Sequence, residues 1–292
     1  MDIDLVYNPV AGNFSEARLA GLIRAFAARG LNARALPTRH DGAQLSGAAD
    51  LICVHGGDGT LRDTVQALGQ DAGTVPLAIA PSGTINLVAR ELGYARGAEQ
   101  LAEQIAAAWA RGPERWVRSP LYRLGATPIV SCLSIGPDSH AVASVSGQLK
   151  KRIGRFAYVV SMMRLMRRWP RTPLSISGEL MDGTAFSCTA EAAIVSHGAL
   201  YGGPFSLSGA AALAADSVEL ITVDRSTRRG AATLTGAAML HLPVDKLGLA
   251  QIRSCRRIEF DQCVSPVQVD GDHIPECAYA IGPSGQTLQY CV

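Results

Sequence analysis

The first 120 residues alternate strand-like and helix-like segments, and most of these segments end at a glycine or proline turn. Short apolar runs typical of buried strands lie at 3–7, 32–36, 51–54 and 77–80. Segments with apolar residues at helical spacing lie at 15–29, 61–68 and 98–111. Strands alternating with helices indicate a parallel sheet with helices on both faces. Ligands of such sheets bind where strands lead into the next helix.

Beyond about residue 121 the pattern changes to short strands separated by turns, which is typical of an antiparallel β-sandwich. The strand-like segments are 121–136, 173–178, 184–196, 218–223, 256–260 and 264–270. Helical patterns interrupt them at 146–169 and 229–242. We therefore expect an α/β domain at 1–120 and a mainly antiparallel β-sandwich domain at 121–292, with a C-terminal strand that can return to the first domain.

The composition narrows the class of protein. With 48% hydrophobic and 18% charged residues the chain is globular. A formal net charge of +2 argues against a surface built to bind nucleic acid. Seven cysteines without a C-x-x-C pair fit reduced thiols. We see no signal peptide and no apolar run of about 20 residues, and expect a cytoplasmic protein that contacts membranes only at their surface.

The turn after the third predicted strand has the most specific sequence. Residues 55–60 read His-Gly-Gly-Asp-Gly-Thr. Glycines can adopt positive φ and leave backbone N–H groups open to a phosphate, and the following helix adds a partial positive charge. Thr60 suits an N-cap or a phosphate contact. The alternative is a tight turn without a ligand.

Two further turns follow the neighbouring predicted strands. Asn8-Pro9-Val-Ala-Gly12 follows the first strand and Pro81-Ser-Gly-Thr-Ile-Asn86 follows the fourth. All three turns are placed so that they can line one crevice.

Together the three segments resemble the diacylglycerol kinase catalytic-domain family, which includes bacterial lipid kinases, sphingosine kinases and ceramide kinases. The resemblance rests on Asn8-Pro9 with Gly12, on Gly56–Thr60, and on Pro81–Asn86 followed by Ala89-Arg90. It implies that ATP, with Mg²⁺, donates its γ-phosphoryl group to a lipid hydroxyl. The implied nucleotide contacts are Asn8, Thr38, Gly56, Gly57, Asp58, Gly59, Thr60, Leu61, Arg62, Ser82, Gly83, Thr84 and Asn86.

The family's general base is implied at Asp272, in the segment Val267–Asp272, where a glutamate is usual. Aspartate is shorter by about 1.5 Å, one C–C bond. The alternative is a polar hairpin, because Asp-Gly is a strong turn signal. Asp58 is a rival base; we assign it to catalysis by positioning and metal organisation.

The family's structural Mg²⁺ site is implied at Leu213, Asp216 and Val218. Ser217 and Ala215 replace a glycine and a frequent acid, which leaves a thin shell for an ion that prefers octahedral oxygen coordination. His197 stands where the family usually has asparagine.

A basic, amphipathic segment at 147–171 suits attraction to anionic lipid headgroups. The alternative is a helix that packs its apolar stripe on the sandwich and exposes its basic face.

Two other functions stay open. NAD kinases share the Gly-Gly-Asp-Gly loop, but their resemblance includes an Asn-Glu pair, and none of the four asparagines here precedes a glutamate. The second alternative is a degenerate protein that binds nucleotide or lipid without catalysing phosphoryl transfer. The sequence specifies neither the lipid, whether diacylglycerol, phosphatidylglycerol, ceramide or a sphingoid base, nor the oligomeric state.

Overall fold

The computed structural model describes residues 1–39, 42–144, 165, 169–264, 266–274 and 278–292. The chain divides into two compact units. Met1–Leu121 with Gly285–Val292 form the first unit, and Tyr122–Ser284 form the second. Most of the basic segment predicted at 147–171 lies outside the described residues, as does His40.

The first unit is an α/β structure. Its strands are β1 (Asp2–Tyr7), β2 (Asn32–Pro37), β3 (Leu51–Gly56) and β4 (Leu77–Pro81). Its α-helices are α1 (Glu16–Ala27), α2 (Asp58–Leu68), α3 (Leu87–Glu91) and α4 (Ala98–Arg111), with short 3₁₀ turns at Gly69–Asp71 and Pro113–Arg115.

These strands are parallel and lie in the order β2-β1-β3-β4. Tyr7 is level with His55, and Gly56 is level with Pro81, so β1, β3 and β4 end at the same edge of the sheet. Every residue of β3 is buried, which explains why this strand reads as an uninterrupted apolar run.

The second unit is mainly antiparallel. Its strands are β6 (Thr127–Ile129), β7 (Cys132–Ile135), β8 (Leu174–Leu180), β9 (Ala185–Ala190), β10 (Ala192–Ser196), β11 (Val218–Val223), β12 (Gln251–Val264), β13 (Val267–Val269) and β14 (Asp272–Ile274). Strands β5 (Val117–Leu124) and β15 (Ala278–Tyr290) contribute residues to both units. The helices are α5 (Pro137–Ala143) and α6 (Arg228–Met239).

Within the second unit the strand order is β14-β13-β7-β10-β11-β12, and β8 and β9 continue from β12. The main core lies on one face of these strands and includes Leu133, Val195 and Ile258. A smaller core under α6, on the opposite face of β11, includes Ile221 and Ala237.

The predicted fold class is confirmed: parallel strands come first and antiparallel strands follow. The element bounds differ in two informative places. Helix α2 begins at Asp58 rather than at the predicted Leu61, so that Gly59 lies in its first turn, although glycine is a poor helix former. Strand β15 runs through Gly282, Pro283 and Gly285, a sequence that indicates a turn.

Candidate active site

The glycine turn connects the central strand β3 to helix α2. Gly57 is the N-cap of this helix, with φ −108° and ψ −170°, and Asp58, Gly59 and Thr60 form its first turn. The expected N-cap at Thr60 is therefore wrong. The N–H groups of Gly57, Gly59 and Thr60 have no carbonyl of the same helix to bind, and they coincide with the helix's partial positive charge.

Close approach, and not positive φ, explains Gly56 and Gly57 of this turn. Gly56, Gly57 and Gly59 are not among the described residues that have positive φ. The expectation that positive φ requires these glycines is therefore wrong. A Cβ added to Gly56 would lie 2.4 Å from the Cβ of Thr60. A Cβ added to Gly83 would lie 2.6 Å from the Cα of Gly57. The two turns therefore touch through backbone, which only glycine permits.

Hydrogen bonds tie the second and third turns together at that contact. The N–H groups of Ser82 and Gly83 both donate to the carbonyl of Gly56, at 2.9 and 3.2 Å. Asn86 closes the third turn: its Oδ1 accepts from the N–H of Gly83 and its Nδ2 donates to the Gly83 carbonyl, both at 2.8 Å. Asn86 adopts a left-handed φ of 57°, a conformation that asparagine tolerates.

The first turn joins the same network. Asn8 donates from Nδ2 to the hydroxyl of Thr60 at 3.3 Å. Asn13 donates from its backbone N–H to the Ser82 carbonyl at 3.0 Å and from Nδ2 to the Gly83 carbonyl at 2.9 Å. Arg18 donates to the Pro81 carbonyl at 2.7 Å. Neither Asn13 nor Arg18 was among the predicted site residues, because each acts through backbone carbonyls that no motif reveals.

Asp58 connects the glycine turn to helix α3. Its two carboxylate oxygens accept from the N–H groups of Leu87 and Val88, at 2.9 and 3.1 Å. The side chain is buried, and it supplies acceptors for the start of α3, where the helix has none of its own. The contact shows Asp58 holding two turns together; its catalytic and metal-organising roles stay predictions.

The remaining predicted nucleotide residues differ in what they offer. Leu61 is buried in the core, so only its backbone is available to a ligand. Arg62 contacts Asp63 at 3.0 Å. Thr38 follows β2 and donates its N–H to the Tyr7 carbonyl at 2.8 Å. The hydroxyl of Thr84 lies beside Gly12, 3.2 Å from where a Cβ would stand.

Two buried polar atoms of this region lack a hydrogen-bond partner within the described chain: the hydroxyl of Ser82 and Nε2 of His55. His55 Nδ1 lies 3.0 Å from the Ala80 carbonyl, which can only accept, so Nδ1 carries the proton and Nε2 is an acceptor. Burial lowers the pKa of His55. The Ser82 hydroxyl and the helix N–H groups are donors that fit an anionic ligand such as a nucleotide phosphate, whereas His55 Nε2 offers an acceptor for a donor group.

In the second unit the predicted base lies on a β-hairpin. Strands β13 and β14 pair Val269 with Asp272, and the connecting residues Asp270 and Gly271 have φ values of 51° and 84°. This is the turn that the Asp-Gly sequence indicates. Asp272 is half-buried at the start of β14. The hairpin and the role of base are compatible, and the role stays a prediction.

Asp270, two residues earlier, is fixed by four donors. Its carboxylate accepts from the N–H groups of Val130, Ser131 and Cys132 at 3.1, 2.8 and 3.1 Å, and from the Ser131 hydroxyl at 2.9 Å. A buried carboxylate needs such donors to offset its lost hydration. Asp270 therefore anchors the hairpin that carries Asp272.

The residues implied for a Mg²⁺ site do not fit a protein-built metal shell. Leu213 is buried, Val218 begins β11, and Asp216 is exposed, with its carbonyl accepting from the Tyr122 hydroxyl at 2.6 Å. The three residues supply one carboxylate. Across the described part of the chain, no group of three or more His, Cys, Asp or Glu side chains can hold a metal ion. Burial, followed by the nearby Asp216, raises the pKa of Tyr122 to about 12.

His197 is buried in the second unit, and both of its ring nitrogens lack a partner within the described residues. Its ring centroid lies 5.6 Å from that of Tyr122. Burial lowers its pKa to about 4, so the ring is neutral near pH 7.

The structure describes Arg171 of the basic segment, and this residue donates two hydrogen bonds to Glu191, of 2.8 and 2.6 Å. No helix within the described ranges is both long and apolar enough to cross a membrane.

Comparison with known proteins agrees with the geometry. Residues 2–112 match the family model of the diacylglycerol kinase catalytic domain. A solved diacylglycerol kinase from Bacillus anthracis str. Sterne has a TM-score of 0.72 at 20% identity, over 99% of this chain and 96% of that chain. A "putative diacylglycerol kinase" from the same strain has a TM-score of 0.71 at 20% identity, over 99% and 95%. No curated protein sequence matches the chain.

The structural likeness, at 20% identity, establishes the fold, while the family model covers the residues that carry the three turns. The resemblance predicted from the motifs is confirmed. What is shown for this chain is thus a match of residues 2–112 to the model of the diacylglycerol kinase catalytic-domain family.

Proposed function

We propose that this protein is an ATP-dependent lipid kinase that transfers the γ-phosphoryl group of ATP to the hydroxyl of a lipid. The observation that carries the proposal is the set of three mutually bonded turns at the carboxyl edge of β1, β3 and β4, in a stretch that matches a kinase family. The acceptor class follows from that family, whose name specifies a lipid.

In this proposal the helix α2 N-terminus binds the phosphates. Gly57, Gly59 and Thr60 present N–H groups there, and phosphoryl transfer depends mainly on such positioning and charge stabilisation. Ser82 adds a hydroxyl donor that lacks a partner within the described residues. When bound, ATP supplies the transferred phosphoryl group and ADP as the leaving group.

Asp272 is proposed as the general base. It would accept the proton of the lipid hydroxyl as the oxygen attacks the γ-phosphorus and the bond to the β-phosphate oxygen breaks. Anchoring by Asp270 supports this assignment, because a base must be held in one position. The residues at 213–218 do not fit the implied Mg²⁺ site, so no step is assigned to protein-bound Mg²⁺; the Mg²⁺ requirement of the assay would come with the nucleotide.

A lipid substrate also requires access to a membrane surface. We retain the expectation of a cytoplasmic protein that contacts the inner face of the membrane peripherally, through the segment 147–171. The oligomeric state enters none of these steps.

The test is transfer of ³²P from γ-labelled ATP to lipids in mixed micelles, with diacylglycerol, phosphatidylglycerol, ceramide and a sphingoid base as separate acceptors. We expect one lipid class to be labelled, and labelling to require Mg²⁺. NAD is included as a competing acceptor. Strong labelling of NAD with none of lipid would replace the proposal by an NAD kinase.

A degenerate protein gives a different result. It would bind ATP, detected as a ligand-dependent rise in Tm, but label no lipid. Absence of both binding and labelling would remove the nucleotide assignment altogether.

A further inference from the structure

The hairpin that carries Asp272 has a second anchor besides Asp270, the side chain of Gln268. Gln268 lies in the middle of β13, between Val267 and Val269, whose side chains pack in the main core of the second unit. Because side chains alternate along a strand, the amide of Gln268 lies on the opposite face of the sheet. Gln268 is 3% exposed there, so its polar atoms need partners inside the protein.

One end of this amide bonds the turn of the hairpin. Oε1 of Gln268 accepts from the N–H of Gly271 at 2.5 Å. Gly271 is the second residue of the turn and directly precedes Asp272. A backbone N–H can only donate, so the amide atom that faces Gly271 is the oxygen, and the amide nitrogen is directed away from the turn.

The other end of the amide bonds the neighbouring strand. Ser134 of β7 is directly opposite Gln268 in the sheet and is 1% exposed. Nε2 of Gln268 donates to the Ser134 hydroxyl oxygen at 3.2 Å. Two side chains that face each other across adjacent strands thus meet through a hydrogen bond on the face opposite the core.

The chain of hydrogen bonds continues to a carboxylate in the first turn of α5. The Ser134 hydroxyl donates to Oδ2 of Asp138 at 2.6 Å, and the Tyr201 hydroxyl donates to the same oxygen at 2.5 Å. Burial, followed by the nearby Asp138, raises the pKa of Tyr201, so this hydroxyl keeps its proton. Helix α5 packs against β7, β13 and β14, which places Asp138 on the element that covers the hairpin.

The two ends of this chain fix the direction of every hydrogen bond within it. At one end the Gly271 N–H only donates, and at the other end the ionised Asp138 carboxylate only accepts. Each side chain between them must therefore accept from the turn side and donate towards Asp138. Rotation of the Gln268 amide or of the Ser134 hydroxyl would leave a buried polar group unpaired, which costs more than one hydrogen bond contributes.

We propose that Gln268 is a positioning residue for Asp272. Its amide holds the backbone N–H next to Asp272, and the chain through Ser134 to Asp138 holds the amide. The inference rests on the proposed function, in which Asp272 accepts the proton of the lipid hydroxyl. A general base must lie within hydrogen-bond reach of that proton, and a displacement of about 1 Å can lower the rate by about 100-fold.

The first measurement needs no enzyme activity. Hydrogen exchange of the Gly271 amide is followed by NMR in wild type and in Gln268→Met, which keeps the length of the side chain and removes both polar groups. We expect this amide to exchange about 3- to 10-fold faster in the variant, the range for one lost hydrogen bond. Gln251→Met, at an exposed position of β12, is the matched control and leaves the exchange of Gly271 unchanged.

The second measurement is the rate of lipid phosphorylation. We expect Gln268→Met to lower kcat about 10- to 100-fold with the KM for ATP unchanged, because the proposed nucleotide contacts belong to the first unit. In an Asp272→Asn background the same substitution should cause no further loss, because the side chain that it misplaces no longer acts as a base. A merely structural role would lower kcat in both backgrounds.

Unchanged exchange of Gly271 in Gln268→Met would overturn the anchoring, and equal losses of kcat in the two backgrounds would overturn the positioning role. Absence of lipid labelling by wild type would instead overturn the proposed function, while the exchange measurement still decides the anchoring. Circular dichroism establishes whether Gln268→Met is folded. If it is not, Ser134→Ala takes its place, with a loss in kcat of about 3- to 10-fold expected in the wild-type background and none with Asp272→Asn.

Discussion

The two units hold their predicted functional residues in different ways. In the first unit, residues from three separate turns bond to one another, with the Gly56 carbonyl, Asn13 and Asp58 as cross-links. In the second unit, Asp272 lies on a hairpin that Asp270 anchors. Asp216 is exposed, and its backbone carbonyl accepts a hydrogen bond from the Tyr122 hydroxyl.

The difference has a topological cause. Parallel strands end at one edge, so turns that are distant in sequence are brought together by the sheet itself. An antiparallel unit has no such edge, and a functional residue there depends on the individual loop that carries it. Motif-based prediction is accordingly stronger for the first unit than for the second.

The largest expected effect tests the hairpin of the second unit. We expect Asp272→Asn to lower kcat for lipid phosphorylation by about 10²- to 10⁴-fold, the usual contribution of a general base, with the KM for ATP little changed. Asp272→Glu, which restores the residue usual in the family, should retain most activity. Asp182→Asn, an exposed acid in a turn, is the control. Full activity in Asp272→Asn would leave the hairpin with a structural role alone.

The buried histidine of the second unit gives the next effect. The pKa of His197 is lowered from 6.5 to about 4, so the unfolded chain binds more protons between these values. The neutral, buried His197 therefore does not lower the free energy of unfolding above pH 6.5. As the pH falls from 6.5 towards 4, the free energy of unfolding decreases by about 3 kcal/mol.

The measurement is the free energy of unfolding by urea at several pH values. His197→Asn should flatten the decline between pH 6.5 and 4, whereas His273→Asn, at an exposed position, should not. Parallel pH profiles for wild type and His197→Asn would contradict the burial argument. His55, whose pKa is also lowered by burial, should contribute in the same direction from the first unit.

The backbone contact of the first unit is tested by Gly83→Ala. The added Cβ meets the Cα of Gly57, so the two turns must separate, and we expect destabilisation of about 1–3 kcal/mol with loss of the ATP-dependent rise in Tm. Gly21→Ala in α1 is the matched control, since a Cβ there meets nothing within 4 Å and alanine favours helix. Unchanged ATP binding in Gly83→Ala would show that the contact is unimportant for the ligand.

The smallest expected effect separates the two roles of Asp58. Asp58→Asn keeps one acceptor for the start of α3 but loses the charge, and we expect destabilisation of about 1–2 kcal/mol in thermal unfolding. If its role is only to connect the turns, kcat should fall no more than the folded fraction does. A fall of 100-fold or more in fully folded protein would assign Asp58 to catalysis. Asp71→Asn, at an exposed position in the 3₁₀ turn that follows this helix, is the control.

Much of this could be predicted from the sequence because the signals are local. Buried strands such as β3 require continuous apolar residues, and glycines mark the positions where backbones touch, so the fold class and the three turns were predictable. The steric reason for glycine at 56 and 83 could not be predicted from the sequence. The atoms that exclude a Cβ belong to Thr60 for Gly56 and to Gly57, in a different turn, for Gly83.

Local sequence was sufficient to predict the alternation of strands and helices, the family resemblance of residues 2–112, and the turn at Asp270-Gly271. It did not predict that Asp58 accepts hydrogen bonds from Leu87 and Val88, or that Glu219 is buried and accepts one from Ser208. Hydrogen-bond partners and burial depend on residues far along the chain, whereas periodicity and turn preference are properties of a few adjacent residues.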